Sequence, residues 1–137
     1  MRYFLAKTEP QYYSAARFRK ERHTTWDGIR NPQALKALRD MRKGDGVLIY
    51  HSGGESAIVG LATVAGEPRP DPSNPELTVD DLEYAGDIVP TVSLRQIKET
   101  GKFSDFALVR QSRLSTMAVP QAFVDWLWRE AKLVPTS

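Results

Sequence analysis

The chain contains no cysteine and only two histidines, His23 and His51, among its 137 residues. The absence of thiols excludes disulfide bonds, thiolate metal sites and cysteine nucleophiles, and it suits a protein of the reducing cytoplasm. Two histidines without cysteine leave an ordinary tetrahedral zinc site short of ligands. We therefore expect a cytoplasmic protein that holds no metal ion.

Long apolar runs are missing as well. No stretch approaches the roughly 18 consecutive apolar residues of a membrane-spanning helix. The first ten residues carry Lys7 and Glu9 within a short apolar run, which indicates a first strand and not a signal peptide. These features predict a protein that does not enter a membrane.

The sequence motifs of common enzyme classes are absent too. The chain has no Gly-x-Ser-x-Gly, no phosphate-binding glycine loop and no Gly-x-Gly-x-x-Gly. Glu9 and His51 could act as an acid and a base, but no nucleophile pattern accompanies them. We therefore expect a binding protein that is not an enzyme and uses no cofactor.

What is present is an ordinary globular composition, with 41% hydrophobic and 26% charged residues. A chain of this length matches the commonest size of a single domain and buries about two-thirds of its unfolded surface. We expect one domain over residues 1–137, and a monomer more readily than an oligomer.

The formal net charge is only +2, but the charges are segregated along the chain. Basic residues crowd 17–30 and 36–43 and recur at Arg110 and Arg113, whereas acidic residues concentrate in 71–87. Segregated charge can present one positive face to phosphates. The alternative is a solvated surface with local ion pairs, the ordinary state of lysine and arginine, and the sequence leaves both open.

Short apolar runs predict five strands. They span residues 3–6, 47–50, 57–65, 88–94 and 106–109. Ser14, Asn31 and Pro120 are typical of helix starts and predict three helices. Gly60 inside the third run indicates a bulge or a close backbone approach, and the proline-rich segment 67–75 indicates a stiff surface excursion. Because the regular alternation of a doubly wound sheet is not present, the sequence predicts an α+β fold with a small curled or closed sheet capped by helices.

Three polar clusters stand at the ends of apolar runs. They are Lys7-Thr8-Glu9-Pro10, Trp26-Asp27-Gly28-Ile29-Arg30-Asn31 and Tyr50-His51-Ser52. Polar groups where strands leave a core are well placed to line one cavity. There Trp26 can stack on a flat ligand with a partly open ring face, while Asn31, Asp27 and Thr8 hydrogen-bond its edge and Arg30 reaches a phosphate.

Each of these residues also has a structural interpretation. Trp26 can be a core aromatic, Asn31 a helix cap, and His51 a hydrogen-bonded residue at a strand end. Lys7 and Glu9 can form a local ion pair of little energetic weight. The sequence alone does not separate the two sets of roles.

Eight motifs, in this order, resemble the EVE domain family. They are Lys7-Thr8-Glu9-Pro10, the Trp26 to Asn31 hexapeptide, Gln33-Ala34, Arg39-Asp40-Met41, Gly44-Asp45, Tyr50-His51-Ser52, Ile58-Val59-Gly60 and Leu114-Ser115. The resemblance implies a PUA-like fold, a small mixed β-barrel with flanking helices that is related to the YTH readers of methylated RNA. It departs from the family pattern at Thr8, where serine is more usual, and after Ser14, where acidic residues are often seen.

The resemblance also implies which residues form the binding site. They are Lys7, Thr8, Glu9, Trp26, Asp27, Gly28, Asn31, Tyr50, His51 and Ser52, with a weaker set at Arg110, Ser112, Arg113 and Ser115. Arg30 joins them through its predicted phosphate contact. No catalytic residue and no metal ligand is implied.

The function implied is that of a reader of modified bases, chiefly modified cytosines in DNA, with RNA as a further possible partner. Two alternatives stay open: a sensor of nucleotides or small metabolites, and an enzyme acting on RNA or nucleotides or an accessory subunit of one. For a nucleic-acid partner we expect Arg30, Arg110 and Arg113 around the pocket mouth. Asp80, Asp81 and Glu83 should then lie away from it.

Overall fold

A computed structural model describes residues 1–136, so that the last residue of the predicted domain, Ser137, lies outside it. Its strands are β1 (Tyr3–Thr8), β2 (His23–Trp26), β3 (Gly46–His51), β4 (Ala57–Val64), β5 (Arg69–Asp71), β6 (Asn74–Ser93), β7 (Thr116–Ala118) and β8 (Lys132–Pro135). Its helices are α1 (Ala15–Glu21), α2 (Pro32–Asp40), α3 (Leu94–Glu99), α4 (Ala107–Arg110) and α5 (Gln121–Glu130). None of these helices is long and apolar enough to cross a membrane.

The sheet follows a six-strand path in the order β2-β6-β4-β3-β1-β7, and β5 and β8 add to β6. Strands β1 and β3 are parallel, and the other ladders are antiparallel. Within residues 1–136 no ladder joins β2 to β7, so the curled sheet is a half-barrel. The predicted α+β class with a small curled sheet is confirmed.

The long strand β6 gives the sheet its curl. It pairs in turn with β5, β2, β4 and β8. Its register against β4 shifts twice, once between Ile58 and Gly60, and such bulges bend a strand and increase its twist. A β-carbon on Gly60 would lie 3.0 Å from atoms of the Tyr84 ring. The bulge predicted for Gly60 is therefore present, and the group that lies close to this glycine is a side-chain ring and not the alternative that was predicted, a backbone.

The core fills the space between the curled sheet and its helices. Helix α2 starts where its sequence predicts, because the Asn31 side chain accepts hydrogen bonds from two backbone N–H groups and Pro32 takes the first helical position. Its inner face buries Leu35 and Leu38, and α5 buries Phe123 in the same way. Each fully buried side chain of this size contributes about 1.5–3 kcal/mol.

Two predicted strands are wrong in whole or in part. Residues 106–109 are the N-cap and the first three residues of α4, because the N–H groups of Val109 and Arg110 donate back to the carbonyl of Phe106. The strand predicted at 88–94 is the end of β6, and a capping box at Ser93 starts α3 at Leu94. The proline-rich segment contains β5 and the turn into β6.

Candidate functional site

A cavity of about 290 Å³ lies between the ends of β1 and β2. We call it the Trp26 pocket; its lining residues are Lys7, Thr8, Tyr13, Thr24, Thr25, Trp26, Asp27 and Ile29. In the sheet order β1 and β2 are separated by three strands, so only the curl brings their ends together. Four of the predicted site residues, two from each of the first two polar clusters, thus share one cavity.

Trp26 is both a core residue and a wall of this pocket. Its side chain is only 7% exposed. The ring lies 6.3 Å from the Tyr13 ring in an edge-on arrangement and 6.2 Å from the Phe18 ring, measured between centroids. The partly open ring face expected of a stacking platform is therefore absent. The structure instead combines the two interpretations that the sequence left open.

Lys7 enters the pocket from β1 and connects it to the segment that precedes β7. Its Nζ donates a hydrogen bond of 2.8 Å to the carbonyl oxygen of Ser112 and lies 5.6 Å from the centre of the Tyr50 ring. Its backbone N–H donates to the carbonyl of Ser115. Burial lowers the pKa of the Lys7 ammonium. The arrangement holds one N–H donor group in a fixed place at the pocket wall.

Thr8 organises the loop between β1 and α1. Its Oγ1 donates a 2.7 Å hydrogen bond to the carbonyl of Tyr13, which fixes the second aromatic wall of the pocket. The Thr8 carbonyl accepts from the backbone N–H of Ser52. Glu9 is exposed and does not line the pocket.

The third polar cluster lies behind the pocket and does not line it. Tyr50 is buried beneath Lys7, and burial raises the pKa of its hydroxyl. His51 Nε2 accepts a 3.0 Å hydrogen bond from the backbone N–H of Ala15, at the start of α1. The backbone N–H of Ser52 donates a hydrogen bond to the carbonyl of Thr8 at the end of β1. These residues position the elements that carry the pocket.

His51 should contribute to stability as a helix cap. We expect His51→Ala to lower the free energy of unfolding by about 1 kcal/mol, the ordinary value of a capping hydrogen bond. Burial lowers the pKa of His51 below its usual 6.5, with a smaller opposing effect from Glu55. Its contribution is thus fully present above pH 6.5 and is lost as the pH falls through the lower folded-state value. Urea unfolding at pH 7.5 and pH 5 measures both effects. The exposed His23→Ala serves as the control, and an equal loss in both variants would contradict the capping role.

The remaining residues of the second cluster shape the loop into α2. Gly28 adopts a φ of +75°, which favours glycine, and Asn31 caps α2. Arg30 is exposed and lies near enough to Asp71 of β5 for its charge to act on that carboxylate. Hydrogen bonds from Ser73 are the chief cause of the lowered pKa of Asp71, and the charge of Arg30 adds to that shift. None of the three lines the pocket.

The weaker predicted set touches the pocket only indirectly. Ser112 and Ser115 hold Lys7 through their backbone carbonyls, whereas the side chains of Arg110 and Arg113 are exposed and outside the pocket lining.

The expected separation of the acidic residues from the pocket is wrong for Asp80 and Asp81. Asp80 pairs with Trp26 in the β2–β6 ladder, and Asp81 accepts a 2.8 Å hydrogen bond from Oγ1 of Thr25 in the pocket wall. The antiparallel register of β2 against β6 places both carboxylates there.

Sequence reasoning missed four lining residues: Tyr13, Thr24, Thr25 and Ile29. The one signal in the sequence was the run His23–Trp26, which consists of β-branched and aromatic residues at three of four positions and forms β2. Tyr13 carries no such signal, because the Thr8 hydrogen bond places it.

The chemistry that the pocket offers is polar recognition beside an aromatic wall. Its lining provides an ammonium donor, a carboxylate acceptor at Asp27, and threonine hydroxyls that can donate and accept. Among residues 1–136 no group of three or more His, Asp or Glu side chains is placed to hold a metal ion.

Comparison with known proteins identifies the fold and the family. The sequence matches the EVE domain over residues 2–130. The chain belongs to the EVE domain family. This confirms the resemblance carried by the eight motifs. Rat thymocyte nuclear protein 1 is 29% identical in an alignment that covers 76% of this EVE chain and 57% of the rat protein. The chain thus spans little more than half the length of that relative.

Solved EVE-like structures superpose closely on this one. A protein from Agrobacterium tumefaciens gives a TM-score of 0.90 at 29% identity, covering 100% of this chain and 99% of its own. The human THYN1 protein, crystallised with DNA containing 5-methylcytosine, gives a TM-score of 0.86 at 23% identity over 98% of this chain and 100% of its own. The PUA-like fold is confirmed, and at 23% identity the human likeness establishes the fold alone.

Proposed function

We propose that this EVE domain is a non-catalytic reader that takes one modified base of a nucleic acid, namely 5-methylcytosine of DNA, into the Trp26 pocket. The observation that carries the proposal is the pocket itself, about 290 Å³ with an aromatic wall, one ammonium and one carboxylate. This volume is at the lower end of small-ligand sites, which suits a single base. The human relative crystallised with 5-methylcytosine DNA supports the ligand class.

The lining matches the hydrogen-bonding edge of cytosine. The exocyclic amino group of that base donates hydrogen bonds, and the Asp27 carboxylate accepts them. The carbonyl oxygen O2 and the ring nitrogen N3 of the base accept hydrogen bonds, and Lys7 or a threonine hydroxyl can donate them. Trp26 and Ile29 offer apolar surface to a 5-methyl group. A base in a duplex must first leave the stack, at a cost of a few kcal/mol that these contacts have to exceed.

The hydrogen bonds around the pocket favour binding over catalysis. A hydroxyl nucleophile needs a base within hydrogen-bond reach. The Thr25 hydroxyl donates to the Asp81 carboxylate, but hydrogen bonds from Arg69 lower the pKa of that carboxyl and make it a weak base. The Thr8 hydroxyl donates to a backbone carbonyl, and His51 Nε2 accepts from the backbone of α1. Both groups are thus engaged in holding the backbone.

Asp27 provides the test. We expect the wild-type protein to bind a short DNA duplex with one 5-methylcytosine roughly ten-fold more tightly than the unmethylated duplex, the value of one well-packed methyl group. Asp27→Ala should weaken binding of the methylated duplex about ten- to a hundred-fold, since hydrogen bonds to charged groups contribute about 1.5–3 kcal/mol. Fluorescence anisotropy measures both.

The matched control is Asp105→Ala, which removes an exposed carboxylate outside the pocket and should leave affinity unchanged. Equal binding of methylated and unmethylated DNA, or equal effects of the two variants, would overturn the proposal. Binding of a free nucleotide without any gain from an oligonucleotide would instead support a metabolite sensor.

A further inference from the structure

A second depression, outside the Trp26 pocket, is named here the arginine groove. It has a volume of about 500 Å³ and separates the end of α2, with Arg39 and Arg42, from the β5–β6 hairpin, with Arg69 and Thr78. Three prolines of the hairpin form much of its wall. Because proline fixes its own backbone angle, this wall is stiff before any ligand arrives.

Two of the arginines are held in place without a carboxylate partner. The Arg39 guanidinium donates to Oγ1 of Thr78 at 2.9 Å and to the carbonyl of Glu76 at 3.3 Å. Arg42 Nη1 donates to the carbonyls of Arg39 and Met41, at 2.7 and 2.8 Å. Within residues 1–136 no ion pair involves either side chain. Uncharged partners therefore fix both guanidinium groups and leave their charge and several N–H donors free to bind a ligand.

Hydrogen bonds through Asp81 connect the groove to the Trp26 pocket. Arg69 donates two hydrogen bonds to the Asp81 carboxylate, at 2.9 and 3.2 Å, and the same carboxylate accepts from Thr25 of the pocket lining. Two consecutive hydrogen bonds thus connect an arginine of the groove to the pocket. The Asp81 charge is neutralised by Arg69. The acidic residue in the groove lining is Glu67.

We infer that Arg39 and Arg42 bind a backbone phosphate of the nucleic acid whose modified base occupies the Trp26 pocket. This inference rests on the proposed function, and it makes the ligand a polynucleotide and not a free nucleoside. Arginine suits the role because its planar fork of N–H groups matches phosphate oxygens. Phosphate contacts fix the position of a nucleic acid, while the pocket supplies selectivity.

The test measures duplex binding at several salt concentrations for the wild type and for the double variant Arg39→Gln/Arg42→Gln. The probe is a short DNA duplex with one 5-methylcytosine, followed by fluorescence anisotropy. We expect the double variant to bind at least ten-fold more weakly and its log–log salt slope to fall by about one unit for each phosphate that the variant no longer binds. Its affinity for the nucleoside 5-methyl-2′-deoxycytidine should not change.

Two further variants serve as controls for this test. Arg95→Gln removes an exposed arginine of α3 and should change neither affinity nor salt slope. Arg39→Lys/Arg42→Lys keeps the charge and should retain most of the salt slope with weaker binding, which separates phosphate binding from a loss of folding.

The failures of the two proposals are distinguishable. An unchanged salt slope in the double glutamine variant overturns the phosphate site and does not affect the proposal that the domain reads a modified base. Loss of the preference for 5-methylcytosine in the wild type, with an arginine-dependent salt slope, overturns the reader and retains the phosphate site. Strong binding of an acidic peptide in place of DNA overturns both.

Discussion

Replacement of Trp26 by alanine should lower the free energy of unfolding by about 3–5 kcal/mol, the usual cost of truncating a buried tryptophan. The side chain is 7% exposed and packs edge-on against Tyr13 and beside Phe18. In a domain of this size the loss corresponds to a fall in melting temperature of roughly ten degrees or more. Differential scanning calorimetry measures it. Trp26→Phe should lose less, because a smaller ring still fills part of the site.

Binding must be measured on the folded fraction to separate the two roles of Trp26. A titration well below the melting temperature of the variant, with 5-methylcytosine DNA, should show about five- to a hundred-fold weaker binding for Trp26→Ala, equivalent to roughly 1–3 kcal/mol, because the pocket loses the apolar wall that meets the 5-methyl group. Trp128→Ala in α5, a half-buried tryptophan outside the pocket, should lose less stability and no affinity per folded molecule. A Trp26→Ala protein as stable as the wild type would contradict the buried placement of the ring.

The elements that the sequence predicts well are those whose local signals agree. Helix α2 has a capping asparagine, a proline at its first position and a regular apolar stripe, and β3 and β4 are nearly continuous apolar runs. In each case propensity, pattern and end signals favour one structure. Segment 106–109 offers only a short apolar run, which periodicity cannot assign to helix or strand, and the structure makes it helical.

The strand β6 was hard to foresee for a different reason. Its inward positions alternate through Leu82, Tyr84 and Ile88, as expected of a half-buried strand, but Asp80 and Gly86 occupy two further inward positions. A carboxylate and a glycine interrupt the apolar pattern that marks a strand. Twenty residues in one strand also exceed the usual length several-fold.

The candidate site was partly predictable. The polar clusters at the ends of β1 and β2 could be read from the sequence because strand ends are where polar groups leave a core. That Thr24 and Thr25 join them follows from the curl of the sheet, a tertiary property that no local pattern encodes. The Tyr50 cluster meets the same rule at the end of β3, yet it supports the pocket from behind. Position at a strand end therefore predicts proximity to the Trp26 pocket better than it predicts a place in the pocket lining.

Asp80 is a buried carboxylate that works against the fold at neutral pH. It is 0% exposed, and its Oδ2 has no hydrogen-bond partner among the described residues. Its Oδ1 accepts from the backbone N–H of Asp81. Burial raises the pKa of Asp80 to about 6; the Asp81 hydrogen bond and, less strongly, Arg69 oppose the shift, while the charges of Asp81 and Glu67 add to it. A strand position directly opposite Trp26 thus holds a carboxylate that is costly to ionise.

The sign of the pH dependence follows from that raised pKa. Between pH 3.8 and about 6 the folded protein keeps the proton that the unfolded chain has released. The folded protein is more stable with Asp80 protonated than with Asp80 ionised. This gain in stability is fully present below the pKa of the unfolded chain and is lost as the pH rises to about 6. A shift of this size corresponds to about 3 kcal/mol at most.

Asp80→Asn should consequently raise the free energy of unfolding at pH 7.5 by about 1–3 kcal/mol, because the amide is neutral and its oxygen can still accept from the backbone N–H of Asp81. The variant should also lose the decline in stability between pH 4 and 6 that Asp80 gives the wild type, so the two stability curves converge at low pH. Urea unfolding at half-unit pH steps measures both.

Asp81→Asn is the matched control. Hydrogen bonds from Arg69 and Thr25 lower the pKa of Asp81, so its replacement should lower the free energy of unfolding at pH 7.5, with the opposite pH dependence. If Asp80→Asn were instead the less stable protein at pH 7.5, the prediction would be contradicted. The Asp80 carboxylate would then have to be stabilised as an anion, which a buried carboxylate whose Oδ2 has no hydrogen-bond partner among residues 1–136 is not.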